Sequence, residues 1–180
     1  MSITYEQIRA VRVKIAKSEL IKEASATHRG KRVFLSHSHL DSSLLPHIIQ
    51  LFDNRGAPVY LDKDDSALPR VTSSTTASVL RKRIMACPRF VLATSENIRS
   101  SRWTPWELGF ADGKKGRKYI ALMPLVPSKE DIPSVEQEYL DLYPRIEKYQ
   151  PPGEFEQWVV MDPWDDKYWL LKDWLMDEMF

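Results

Sequence analysis

The sequence predicts an α/β fold, a doubly wound parallel sheet with an extra N-terminal helix and a helical C-terminal extension. Three observations predict it. Short segments centred on apolar residues lie at 31–36, 57–61, 90–93 and 119–122, each of strand length and bounded by turn formers. Segments with apolar residues at helical spacing separate them. The links between the two are short, which implies parallel strands covered by helices on both faces.

Composition fits this class. The chain has 180 residues with 43% apolar content, enough for one domain or one domain with a terminal extension. Lys and Arg total 26 against 25 Asp and Glu, so no strong field draws nucleic acid or an anionic membrane. Neither is expected as a partner. Cys87 stands alone, which excludes an internal disulfide and suits a reducing cytosol. No apolar run approaches the ~20 residues that span a bilayer. A soluble, cytoplasmic protein is the expectation.

Residues 1–30 form an N-terminal amphipathic helix in this reading, with Ile8, Val11 and Ile15 at helical spacing and Leu20, Ile21 and Ala24 beyond. Glu6, Glu19 and Glu23 argue against a transit peptide, which is poor in acids. Residues 31–180 form the main domain. The first strand exits into Ser36, His37, Ser38, His39 and Asp41, small and polar as a ligand crevice requires. Ser42 or Ser43 caps the next helix, with Pro46 in its first turn. The second strand runs into a long charged loop, residues 62–70, that begins with Asp62. A helix at 73–85 leads to the third strand. Then come Ser101, Arg102, Trp103, Thr104, Pro105, Trp106 and Glu107, opening a helix that ends near Gly113. The last third is less regular. Helix at 132–146, a fifth strand at 158–161 and a final helix at 165–179 are expected, with Trp158, Trp164, Trp169 and Trp174 as core.

Several constellations carry little. Ser36, His37 and Asp41 are the residue types of a hydrolytic triad, but neighbours on one extended segment cannot converge, and the G-x-S-x-G elbow is absent. His37 and His39 have no further His or Cys cluster to complete a metal site. The stretch Gly113, Lys114, Lys115, Gly116 lacks P-loop spacing, and no G-x-G-x-x-G occurs. The carboxylates remain. Asp62 and Glu107 each follow a strand and face one crevice in a doubly wound sheet. Glu107 also completes a T-x-x-E capping box with Thr104, with Pro105 at the first helical position. The pattern alone favours the cap.

Taken together, these segments resemble the TIR (Toll/interleukin-1 receptor) domain family over residues 31–126. Val33, Phe34, Leu35, Ser36, His37 and Ser38 with Asp41 are similar to its first box, and residues 56–62 to its second strand. Ser101, Trp103, Glu107 and Leu108 match the S-x-W-x-x-x-E-L pattern of bacterial and plant members. The resemblance implies a flavodoxin-like fold with a five-stranded parallel sheet. It implies an enzyme that cleaves the nicotinamide–ribose bond of NAD+, a substrate here and not a resident cofactor, with Glu107 as the catalytic carboxylate. Ser36, His37, Ser38 and Asp62 would frame the substrate, and Trp103 would pack against it. Many members cyclise the product into signalling forms of ADP-ribose.

A small stand-alone member looks like the signal-producing subunit of a bacterial antiviral system of the Thoeris kind, with a separate effector reading the product. Homo-oligomers through TIR–TIR contacts are the expected assembly. Two other functions compete: a non-catalytic TIR adaptor working by homotypic assembly, and a nucleoside deoxyribosyltransferase-like enzyme. The loop after Asp62 departs from many relatives, since no glycine occurs from Asp62 to Met85.

Overall fold

The computed structural model describes residues 2–26, 29–61, 74–101, 103–131 and 138–176, excepting the side chains of residues 99, 100, 138 and 139. Eight strands form the sheet. They are β1 (Ile3–Thr4), β2 (Val33–Ser36), β3 (Val59–Tyr60), β4 (Arg89–Thr94), β5 (Ile120–Val126), β6 (Arg145–Tyr149), β7 (Gln157–Asp162) and β8 (Lys167–Leu170). The helices are α1 (Tyr5–Arg9), α2 (Lys17–Ala26), α3 (Leu45–Asp53), α4 (Ser74–Ala86), α5 (Thr104–Lys115) and α6 (Leu171–Met176).

The order across the sheet is β3-β2-β4-β5-β6-β7-β8, and β1 pairs with the far end of β5. From β3 to β6 neighbouring strands are parallel, while β7 and β8 run antiparallel. Counted from β2, the parallel part has the order 2-1-3-4-5, that of a flavodoxin-like sheet. Register sets the two faces. Phe34, Phe90 and Ile120 lie in line across three strands, followed by Leu35, Val91 and Ala121. Side chains alternate between faces along a strand, so these rows feed two separate cores. Leu35, Val91 and Ala121 join residues of α1, α2, α3 and α6 in one. Phe34, Phe90 and Ile120 join those of α4 and α5 in the other. In the second, Phe34 stacks on Phe90 with centroids 5.6 Å apart and tilts against Tyr60 at 5.5 Å.

The structure corrects several expectations. The sheet has eight strands, not five, because the last third adds β7 and β8 antiparallel to β6. The fifth parallel strand is β6, whose polar sequence hides it, and the run expected to be that strand belongs to β7. Among the described residues the C-terminal extension holds the strands β6, β7 and β8, and the expected final helix is strand over Lys167–Leu170, paired with β7, before the short helix α6 begins. The single N-terminal helix is a strand and two helices. β1 enters α1 through a capping box between Thr4 and Gln7, 3.1 and 2.9 Å, and Ile15 is 41% exposed in the link to α2. The N-cap of α3 is Leu44, so neither Ser42 nor Ser43 caps it, although Pro46 does lie in its first turn. Of the four late tryptophans only Trp174 is fully buried, and Trp164 is 65% exposed.

Trp174 shows what holds α6 in place. Its indole Nε1–H donates to Lys118 O at 2.9 Å, and its own carbonyl accepts the Nε–H of Arg89 at 2.7 Å. Arg89 lies in the middle of the sheet with 0% exposure. Its guanidinium sits 5.0 Å from the ring centres of both Tyr119 and Trp174. Arg32 adds Nε–H and Nη2–H bonds, 3.1 Å each, to Leu175 O. A buried cation demands such acceptors, and the last turn of a helix supplies carbonyls that lack intrahelical partners. Trp174→Ala removes both the aromatic bulk and the indole bond. It should lower stability by about 3–5 kcal/mol, read as a fall in the urea midpoint.

Asp162 ends β7 in an ion pair with Arg117, 2.7 Å, and accepts the Trp164 N–H at 2.9 Å. Burial pushes its carboxyl up, but the Arg117 hydrogen bond, the Trp164 N–H and the Arg117 charge outweigh that and hold it below the ordinary range. A carboxyl depressed in the native state stabilises above its unfolded pKa, about 3.9, and loses that contribution as pH falls through the native value. The stability difference between wild type and Asp162→Asn should therefore be constant near neutrality and shrink below about pH 4. Urea titrations across that range measure it.

Candidate functional site

The crevice lies at the carboxyl ends of β2 and β4, where the strand order reverses and open sheets of this kind bind ligands. Two polar ties close its base. Ser38 caps the short 3-10 turn His39–Asp41, accepting from the Leu40 N–H at 3.4 Å. That turn delivers Asp41, 3% exposed, toward the loop after β4. There Asp41 Oδ2 accepts from Ser95 Oγ and Oδ1 from Asn97 Nδ2, both at 2.7 Å. Ser95 Oγ in turn accepts the Asn97 N–H at 3.1 Å. The exits of β2 and β4 are thus fastened to each other.

Glu107 enters from the first turn of α5. Trp103 is the N-cap of this helix, and the Glu107 N–H donates to Trp103 O at 2.9 Å. The expected capping box does not form. Thr104 is already helical, its N–H and hydroxyl go to Ser101 Oγ at 3.3 and 2.6 Å, and Trp103 provides no side-chain cap. Freed from that duty, the Glu107 side chain crosses to β2. Its Oε2 accepts from Ser36 Oγ at 2.6 Å, and the residue is 2% exposed. The short bond is what a hydroxyl gives to a carboxylate. It is also necessary, because a carboxylate so far from water needs donors.

The other expected site residues disperse around this pair. His37 is half-buried, with Nδ1 at 3.2 Å from Leu35 O. Ser38 is committed to its turn. Trp103 lies edge-on to Trp106, centroids 5.3 Å apart, and Trp106 stacks on Phe110 at 5.8 Å. Arg81 of α4 covers that ladder, 5.4 Å from Trp106. Asp62 and the charged loop after it lie outside the described residues. The structure therefore brings Ser36 and Glu107 into contact and leaves Trp103 in an aromatic cluster on the same helix. Sequence reasoning missed Ser95 and Asn97. The available signal was their position, two small polar residues directly after a buried strand.

Cys87, just before β4, is not a competing nucleophile. Burial pushes its thiol up to about 12, against the smaller pull of Lys115, Lys31 and Arg83, and it is 0% exposed. Lys115 Nζ binds the Cys87 carbonyl at 2.6 Å, and burial lowers the pKa of this lysine. Only thiolates alkylate readily. Native protein should leave Cys87 unmodified by iodoacetamide at pH 8, whereas protein in denaturant should alkylate fully. Intact-mass measurement separates the two.

A flavodoxin-like sheet with a buried carboxylate at its strand-order reversal defines an α/β domain suited to nucleotide chemistry. A buried carboxylate with a hydroxyl partner suits stabilising a developing cation. The family follows from the sequence match. The chain belongs to the TIR domain family, whose model matches residues 33–159. It is 34% identical over 145 residues to the protein of Bacillus cereus (strain MSX-D12) named "Probable 3' cyclic ADP-D-ribose synthase ThsB'", covering 79% of this chain and 74% of that protein. It is 35% identical over 82 residues to "Putative cyclic ADP-D-ribose synthase TIR2" of Cytobacillus dafuensis, covering 44% of this chain and 22% of that protein. Among the described residues, no helix is long and apolar enough to cross a membrane.

Proposed function

We propose that this chain is an NAD+-consuming TIR enzyme, cleaving the nicotinamide–ribose bond and closing the ADP-ribose product into a cyclic signal for bacterial antiviral defence. The observation that carries this reading is the 2.6 Å bond from Ser36 to the buried Glu107 carboxylate at the carboxyl end of β2. The names of the two relatives, both cyclic ADP-D-ribose synthases, support the product class.

The chemistry accounts for one carboxylate. When the bond from ribose C1′ to the pyridinium nitrogen breaks, its electron pair neutralises that nitrogen, and nicotinamide leaves uncharged without a general acid. The positive charge passes to the ribose as an oxocarbenium-like centre. Glu107 stabilises that charge electrostatically and accepts hydrogen bonds from ribose hydroxyls. A carboxylate offers about four lone-pair sites, so the Ser36 hydroxyl orients it without saturating it. Water capturing C1′ gives ADP-ribose and a proton. Capture by a nucleophile elsewhere on the same molecule gives a cyclic product and a proton.

His37, Ser38 and Asp62 frame the substrate, and Trp103 covers one side of it. Copies of the chain assemble through TIR–TIR contacts in the cytosol, and a separate effector protein receives the product.

Glu107→Gln separates the chemistry from the packing. A glutamine carbonyl still accepts the Ser36 hydroxyl, so stability should change by only about 1 kcal/mol. NAD+ cleavage, followed by mass spectrometry of the products, should fall by about a hundredfold or more. Turnover equal to wild type would remove Glu107 from the reaction.

A further inference from the structure

On the opposite face of the sheet from Glu107, two open depressions meet and share Asn54, Arg55 and Trp158. Their volumes are about 480 and 580 Å³, each in the range of a small-molecule site. Ser36 follows Phe34 by two residues and so shares the α4/α5 face, whereas Leu51 and Trp158 pack on the other core. The lining is basic. Arg12 and Lys14 border the first depression, Lys172 borders the second, and Arg55 stands in both. Among the described residues Glu156 is the one carboxylate on these walls, and it is engaged by Lys148 at 2.6 Å.

The fold holds the backbone that carries Arg12 and Lys14 and tethers the Arg55 side chain. The segment carrying Arg12 and Lys14 is pinned to α3 at both ends. His47 Nδ1 lies 2.8 Å from Val11 O, and Gln50 Oε1 accepts the Lys14 N–H at 3.0 Å. Both anchoring side chains are buried. Arg55 is tethered by its Nη1–H to Leu51 O at 2.8 Å. Burial lowers its pKa, and no opposing charge offsets this. Among the described residues none of Arg12, Lys14, Arg55 or Lys172 has an ion-pair partner. A groove lined by cations of one sign attracts anions.

We propose that this groove is a second binding site, for a nucleoside diphosphate, separate from the Glu107 crevice. The guanidinium groups of Arg12 and Arg55 and the Lys14 ammonium take the phosphates, since fork-shaped donors match phosphate oxygens bidentately. The Trp158 indole and the amides of Asn54 and Gln157 face the nucleoside. Two abutting depressions of this size match a two-part ligand. The site needs no bond-making step and holds whether or not Glu107 is catalytic.

The test uses ADP and inorganic pyrophosphate as probes. The six tryptophans give resolvable indole N–H signals in 15N-labelled protein, and Trp158→Phe assigns the one that matters. Saturable movement of the Trp158 signal with both probes, tighter for ADP, supports the site. In Arg12→Gln/Arg55→Gln, two replacements at non-core positions, affinity should fall by about tenfold or more. In Glu107→Gln the titration should be unchanged, which separates this groove from the crevice. A Trp158 signal that does not move, or equal affinity in the double variant, overturns the proposal. Tighter binding of a single-stranded oligonucleotide than of ADP also overturns it and assigns the groove to nucleic acid.

Discussion

The constraint on which the rest of the molecule depends is the dryness of β2, β4 and β5. Every residue of these three strands is buried, and parallel strands bury both faces only when helices cover both. The chain meets that demand with α4 and α5 on one side and α1, α2, α3 and α6 on the other. Polar residues are thereby driven to the strand ends. Ser36, Thr94 and Ser95 mark those ends, and the crevice exists because two neighbouring strands leave the core side by side.

Glu107 reads differently in that context. A helix start beside a strand end brings a carboxylate and a hydroxyl within reach, and burial then makes their bond obligatory. The local pattern around Thr104 suggests a rival partner, yet Ser101 already occupies Thr104. The ties from Asp41 to Ser95 and Asn97 fix the β2 exit, and with it the position of Ser36. One consequence is that the site's geometry belongs to the sheet more than to any loop. Another is that the aromatic ladder of Trp103, Trp106 and Phe110 braces α5 against α4, so the helix carrying Glu107 has little freedom to roll.

The legible parts of the fold were those where local pattern and tertiary role agree. Val33 to Ser36 and Arg89 to Thr94 are continuous apolar strands with polar exits, and α3 has the strong apolar stripe of Leu45, Ile48 and Phe52. The Ser36–Glu107 pair was legible as two residues at one crevice, though not as a contact. The last third failed for a physical reason. Arg145 to Tyr149 is charged and half-exposed, so nothing local marks it as a strand until β5 and β7 flank it. Tyr168, Trp169 and Leu170 have the bulk of a buried helix but lie on the outermost strand. Ile3 and Thr4 pair with β5 through a match too short to leave a periodicity. The capping box failed because Ser101, three residues upstream, competes for Thr104, and composition cannot rank such competitors.

The bond from Arg89 to the Trp174 carbonyl also bears on how the protein is made. Arg89 lies in the central sheet, but the acceptor for its Nε–H is supplied 85 residues later in the chain. During synthesis, a nascent chain can bring together Ser36 and Glu107 well before the ribosome has released that acceptor. Until then the helix carbonyl that receives the Arg89 Nε–H in the folded chain has not been made. Closure of this core therefore depends on a segment far along the chain from β4.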